Sequence, residues 1–310
     1  MRLGLNRENT AKQTLTERCE AMTERDDVYL DGSFVPRAEA RISPFDRGFL
    51  FAHAAYEVTA VYAGKFVDLE HHEARLKRTL ASLEIDYPDF DFAEAHQNLI
   101  VRNQVREGLV YLQVSAGNQG PRDFYGPEVL TPSVFMFTTR KVLIGEIARH
   151  GLTAILKEDT RWKRRDLKTT QLVTQTLGYR AARREGAKTA IMHEDGMITE
   201  AASANLWIVT EAGELVTRDL SHALLPGVTR QSVANLMRAQ GVEMSERAFS
   251  IEELQRAREA FTSSTGVVIA PVCEVDGAPI GSGEPGPVTR QVQAVYYNHL
   301  GADLSQIDFL

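Results

Sequence analysis

The chain has 310 residues, 43% hydrophobic and 25% charged, with a formal net charge of −7 and two cysteines. That is ordinary globular composition with length for two domains; it argues against a nucleic-acid surface, which needs a basic face, and against a disulfide framework or zinc site, which needs more cysteines. The longest apolar runs, such as Val267–Ala270, are too short to span a bilayer, and the opening residues lack the apolar core of a secretory signal.

Residues 1–26 are polar and carry little apolar periodicity, so they read as a loosely ordered extension, with Met22 an alternative start. Val28–Leu30 and Phe34–Val35 flank Asp31-Gly32, a hairpin signal. Tyr56–Tyr62 is rich in β-branched and aromatic residues and ends at Ala63-Gly64, a strand and turn. Leu69, His72, Leu76, Leu80 and Leu83 then recur at helical spacing, and Phe92–Glu107 reads as a second helix. Val110–Ser115 and Ser133–Thr138 are expected strands around a Gly/Pro-rich loop, Gly117–Pro127.

Residues 139–151 read as a link. A strand follows at Leu152–Leu156, then a basic stretch, Arg161–Arg165, and a helix over Thr169–Glu185 closed by Gly186. Two hairpins are expected, Thr189–Met192 with Met197–Thr199 and Leu206–Val209 with Glu214–Val216. A helix over Thr229–Gln240, strands Ala260–Ser263 and Val267–Val275, and a helix over Val288–His299 complete the chain. Strands and helices mix in both halves. The expectation is therefore an α/β (α+β) protein with a small domain over 27–145 and a larger one over 146–310.

Two motifs are set aside. Gly281, Gly283 and Gly286 match G-x-G-x-x-G, but the chain ends too soon for a βαβ unit and Pro285 and Pro287 spoil a phosphate turn. His71-His72-Glu73 suggests a metal, yet adjacent helical residues point about 100° apart, so a solvated helix face is expected and no metal. No G-x-S-x-G elbow or P-loop occurs.

Four pieces of the second half fit one task. Asp166-Leu167-Lys168 offers an amine able to attack an aldehyde, though alone it reads as a surface lysine. Thr199-Glu200-Ala201-Ala202-Ser203-Ala204-Asn205 offers a carboxylate able to face a pyridine nitrogen, though alone it reads as a polar turn. Leu225-Pro226-Gly227-Val228-Thr229-Arg230 opens a helix whose N–H groups suit a phosphate, with Thr229 as an N-cap the plain alternative. Thr262-Ser263-Ser264-Thr265-Gly266 is a hydroxyl-rich turn, able to hold further phosphate oxygens or simply to close on itself.

In this order and spacing the four pieces resemble the fold-type IV aminotransferases that use pyridoxal 5′-phosphate (PLP), a family that includes D-amino-acid, branched-chain and (R)-amine transaminases. The resemblance runs from about Val28 to the last helix. It implies that Lys168 carries the cofactor as a Schiff base and shuttles a proton between the substrate Cα and C4′ of the cofactor. It implies that Glu200 pairs with the pyridine nitrogen. Arg75, Val228, Thr229, Thr265 and neighbouring Ser264 would hold the phosphate, Leu225 would pack on the ring, and Ser203 would join the cofactor's polar network. Asp46-Arg47-Gly48 and Tyr56-Glu57-Val58 also resemble signatures near the active site.

Substrate residues follow the same resemblance. Tyr56, Val58 and Ala60 would line the substrate side, and Arg122 would clamp a carboxylate, which suits a guanidinium fork. Phe124 stands where D-amino-acid transaminases place a histidine, and Ala60 where some members have a lysine. Both changes remove polar groups, which suits a larger apolar side chain or a substrate without a carboxylate. The expected activity is transfer of an amino group from a D-amino acid to a 2-oxo acid. An (R)-selective amine transaminase is the alternative, followed by a branched-chain L-amino-acid transaminase, an aminodeoxychorismate lyase and a cofactor-free binding protein. A homodimer is expected from the resemblance, with Arg122 serving the partner's site, and a cytoplasmic location from cysteine usage.

Overall fold

The structure, a computed structural model, describes residues 26–310. The polar N-terminal segment lies outside the described residues up to residue 25, as do Cys19 and Met22.

Six strands form a first, fully antiparallel sheet: β1 (Asp27–Leu30), β2 (Ser33–Pro36), β3 (Ala54–Tyr62), β4 (Lys65–Phe66), β5 (Gly108–Ser115) and β6 (Ser133–Arg140), in the order β2-β1-β6-β5-β3-β4. A short helix, α1 (Arg47–Phe51), precedes β3, and α2 (Leu69–Ser82) and α3 (Phe92–Arg102) cover one face. The stripe Leu76, Leu80, Leu99 and Ile100 meets Val110, Leu112, Val114 and Met136 in one core.

The second sheet has nine strands: β7 (Leu152–Glu158), β8 (Thr189–Glu194), β9 (Met197–Ala201), β10 (Asn205–Val209), β11 (Leu215–Thr217), β12 (Met244–Glu246), β13 (Glu259–Ser264), β14 (Val268–Val275) and β15 (Ala278–Pro279). It runs β12-β11-β10-β13-β14-β7-β8-β9, with β15 beside β14. It is mixed: β14 with β7, β7 with β8, and β11 with β12 are parallel. Helices α4 (Glu146–His150), α5 (Val173–Arg184), α6 (Val228–Ala239), α7 (Ile251–Gln255) and α8 (Pro287–His299) flank it. All five residues of β10 are buried, as in a strand covered on both faces. Ala60 of β3 joins the core of Trp207, Phe261 and Tyr297, tying the first sheet to the second.

Two helices are shorter than the sequence suggests. The helix expected over Phe92–Glu107 ends at Arg102, because Asn103 turns its side chain onto β1 and β6. Its amide bonds both backbone groups of Asp27 and the Thr138 hydroxyl, each at 2.9 Å, and Gln104 takes a positive φ. The helix expected from Thr169 begins at Val173. Residues 168–170 are held extended against β3 instead, with Tyr56 N–H donating to Lys168 O at 2.9 Å and Thr170 N–H to Ala54 O at 3.1 Å. No helix of the described residues is long and apolar enough to cross a membrane.

Candidate active site

That clamp on β3 fixes the backbone of Lys168 at the seam of the two sheets. Its amine stands 4.2 Å from the centroid of the Tyr56 ring, which in turn stacks on Tyr111. Lys168 and Tyr56 both face a cavity of about 280 Å³, near the lower end for small-molecule sites. Arg75, Glu200, Ser203, Leu225, Val228, Thr229, Ser264 and Thr265 line the same cavity. The folded chain thus brings together the lysine, the acid, the helix start and the hydroxyl turn, four pieces scattered over about a hundred residues.

One end of the cavity suits an anion. Helix α6 begins at Gly227 with no side-chain cap, so the N–H groups of its first turn point outward unclaimed. Beside it lie the hydroxyls of Ser264 and Thr265 at the β13–β14 turn. The start of α8 is different. There the Glu259 carboxylate accepts from Val288 N–H at 3.0 Å and Thr289 N–H at 2.7 Å, so the Gly281–Gly286 segment leads into a helix start already filled.

Arg75 approaches the anion end from α2. Its Nε and Nη2 donate to Glu57 at 2.7 and 2.8 Å, and Nη1 donates to Pro226 O at 3.1 Å. His72 also meets Glu57, at 2.8 Å. Burial would raise the Glu57 carboxyl, but Arg75 and His72 outweigh it and hold the acid well below the usual range. Burial pushes His72 the other way, below its ordinary value, so it sits neutral beside the pair. The solvated face expected around His71–Glu73 is therefore wrong for His72, which is 2% exposed. Its partner Glu57 lies on a different element, out of reach of local pattern.

The cavity also carries an acid. Glu200 is 4% exposed. Its Oε1 accepts from Arg161 Nη1 at 2.6 Å and Leu225 N–H at 3.2 Å, and its Oε2 from Asn205 Nδ2 at 3.1 Å. Burial nonetheless pushes its pKa above the ordinary carboxylate value, against the pull of Arg161. Arg161 is held from behind by a two-pronged bond to Asp159, at 2.9 and 2.7 Å. Ser203 bonds Tyr179 at 2.5 Å.

Sequence reasoning missed Arg161, Asn205, Tyr179 and Asp159. Arg161 was visible only as one of a run of basic residues, and Asn205 only as the end of the Glu200 segment. Arg161 meets Glu200 39 residues away and Tyr179 meets Ser203 24 residues away, pairings that no local spacing encodes.

Other expected residues stand apart. Val58 and Ala60 do not line the cavity; Ala60 is packed in the core. Arg122 stacks on the rings of Phe51 and Phe124, 5.1 and 4.7 Å from their centroids, and neither it nor Phe124 lines the cavity within one chain. Arg47 grips that loop through Asp123 O at 3.1 Å and Phe124 O at 3.3 Å, so Asp46-Arg47-Gly48 shapes the loop from outside the cavity.

The family model described as amino-transferase class IV matches residues 54–275. A D-alanine aminotransferase of Bacillus licheniformis is 34% identical over 88% of this chain and 96% of its own length. Among solved structures, the branched-chain amino acid aminotransferase of Escherichia coli superposes with a TM-score of 0.81 at 23% identity, over 88% of this chain and 94% of that one. A hypothetical aminotransferase from Mycobacterium tuberculosis, in its PLP-bound form, gives 0.77 at 20% identity, over 88% and 98%.

Proposed function

The chain belongs to the class IV aminotransferases, a PLP-dependent family of fold type IV, and from that premise we propose that it moves an amino group from a D-amino acid to a 2-oxo acid. The observation that carries this reading is the shared cavity of Lys168, Glu200 and the uncapped start of α6. The substrate class is supported by the D-alanine aminotransferase likeness along most of the chain.

The residues fit the cofactor. A phosphate suits the open N-terminus of α6 with the Ser264 and Thr265 hydroxyls. Arg75 adds its charge; Nε and Nη2 bond Glu57 and Nη1 bonds Pro226 O, which leaves a second N–H on each Nη to donate. Leu225 offers an apolar contact for a ring, and Glu200 an acid for a ring nitrogen. When bound, PLP supplies the electron sink that lets a proton leave the substrate Cα.

Lys168 would hold that group through its amine, and the free amine would serve as base and then acid for the substrate Cα proton. Glu200 would face the ring nitrogen and keep a proton on it. Tyr56, beneath the lysine amine, bounds the substrate side. Arg122 binds the substrate carboxylate in the cavity of a second copy, as a homodimer would allow. This is supported by its stacking away from its own chain's cavity, and by the exposed aromatics Phe49, Phe124 and Tyr125, the last 94% exposed.

An (R)-amine activity is favoured by one observation: among the described residues, no arginine beyond Arg75, Arg161 and Arg165 lines the cavity of the single chain, and all three are paired or bonded elsewhere. A donor panel on the PLP-loaded enzyme, read at the cofactor's visible band, separates the readings. D-alanine should bleach the band faster than an (R)-arylalkylamine or L-leucine. Faster reaction with L-leucine would reject the proposed hand.

A further inference from the structure

Glu200 does not stand alone in the cavity. Arg161, which also lines the cavity, donates to it at 2.6 Å, and the side chains of Arg161 and Glu200 are almost wholly buried, at 7% and 5% exposure. Arg161 has no freedom to swing away. Asp159 takes its Nε and Nη2, and Asp159 is itself fixed by the Thr199 hydroxyl at 2.7 Å and flanked by Arg165 at 3.5 Å. Asn205 and the Leu225 N–H complete the acid's partners.

Desolvation opposes charge on this carboxyl. Left to burial, the acid would hold its own proton and could not stabilise a proton on a ring nitrogen. Coulomb energy falls with distance. A guanidinium in contact with the carboxylate therefore stabilises that negative charge more than it repels a proton one group further off.

We propose that Arg161, clamped by Asp159, is a positioning residue that keeps the Glu200 carboxylate ionised and directed into the cavity, so that the shared proton stays on the cofactor's ring nitrogen. This rests on the reading that Glu200 meets that nitrogen. Burial raises the Glu200 carboxyl, and Arg161 is the largest influence opposing that rise. Burial also weakens the guanidinium's hold on its proton, but Glu200 and Asp159 outweigh it, so Arg161 stays charged.

The test reconstitutes wild type, Arg161→Gln and Arg161→Lys with PLP labelled with ¹⁵N in the ring, and reads the nitrogen shift together with the half-reaction rate with D-alanine. Wild type should show a protonated nitrogen. Arg161→Gln should show an unprotonated one and a rate lower by on the order of tenfold, the effect of about one pH unit of charge interaction. Arg161→Lys, which restores the charge without the fork, should recover the protonated shift. A protonated nitrogen in Arg161→Gln overturns the proposal. If that variant does not fold, an unprotonated nitrogen in Arg161→Lys overturns it and a protonated one supports it. A wild type whose nitrogen is unprotonated although PLP is bound at Lys168 removes the role of Glu200, and with it this inference. A wild type that binds no PLP removes the functional reading itself.

Discussion

At the scale of single residues, the protein repeatedly buries charge and then matches it. Glu57 with Arg75, and Glu200 with Arg161 and Asp159, are sets in which no member could be left alone without a cost of several kcal/mol. His96 is a buried titratable group without such a match. Its Nδ1 donates to Phe92 O at 2.7 Å, Nε2 has no partner among the described residues, and burial pushes its pKa down to about 4. The unfolded chain binds that proton near pH 6.5. The imidazole's contribution is therefore fully present above about pH 6.5 and is lost as the pH falls to about 4, by up to about 3 kcal/mol. Glu57, with its lowered carboxyl, loses stability in the same direction. His96→Phe should flatten the fall in melting stability between pH 7 and pH 4.5 without abolishing it. An unchanged slope would show that His96 does not titrate on unfolding.

At the scale of elements, the site depends on how segments end. Helix α6 starts at Gly227, where a Cβ would lie 2.1 Å from Asn205 Oδ1. That amide bonds both Glu200 and Leu225 O. Gly227→Ala should displace Asn205, loosen the acid and weaken PLP binding by roughly tenfold, the worth of about one hydrogen bond. A fluorescence titration reads this, and an unchanged dissociation constant would rule out the coupling.

Much at this scale was legible in the chain. The hairpin at Asp31-Gly32, the Leu76–Leu80 stripe, β10, α6 and α8 follow local pattern, because period and turn chemistry are local properties. The end of α3 at Arg102 and the start of α5 at Val173 were not, because Asn103 and Lys168–Thr170 bond to distant strands. The same division runs through the site. Lys168, Glu200, Thr229 and Thr265 stand in short motifs, and the cavity gathers them. Arg161 and His72 owe their places to partners distant in sequence, Glu200 and Glu57. Arg122 and Phe124 carry their meaning, on the present proposal, in a second copy of the chain.

At the scale of the whole molecule, the two sheets meet where the chemistry is placed. β3 supplies Tyr56 and Glu57, receives the 168–170 segment along its edge, and sends Ala60 into the core of the second sheet. Arg75 reaches across to Pro226, and Arg78 to Asp166 O. A ligand seated between Lys168 and α6 therefore touches both halves, and the most direct test of the account is to ask where that ligand becomes attached. Borohydride reduction of the PLP-loaded protein, followed by peptide mapping, should place a phosphopyridoxyl mass on the peptide containing Lys168 and nowhere else. Attachment to a different lysine, or a protein left unlabelled, would contradict it.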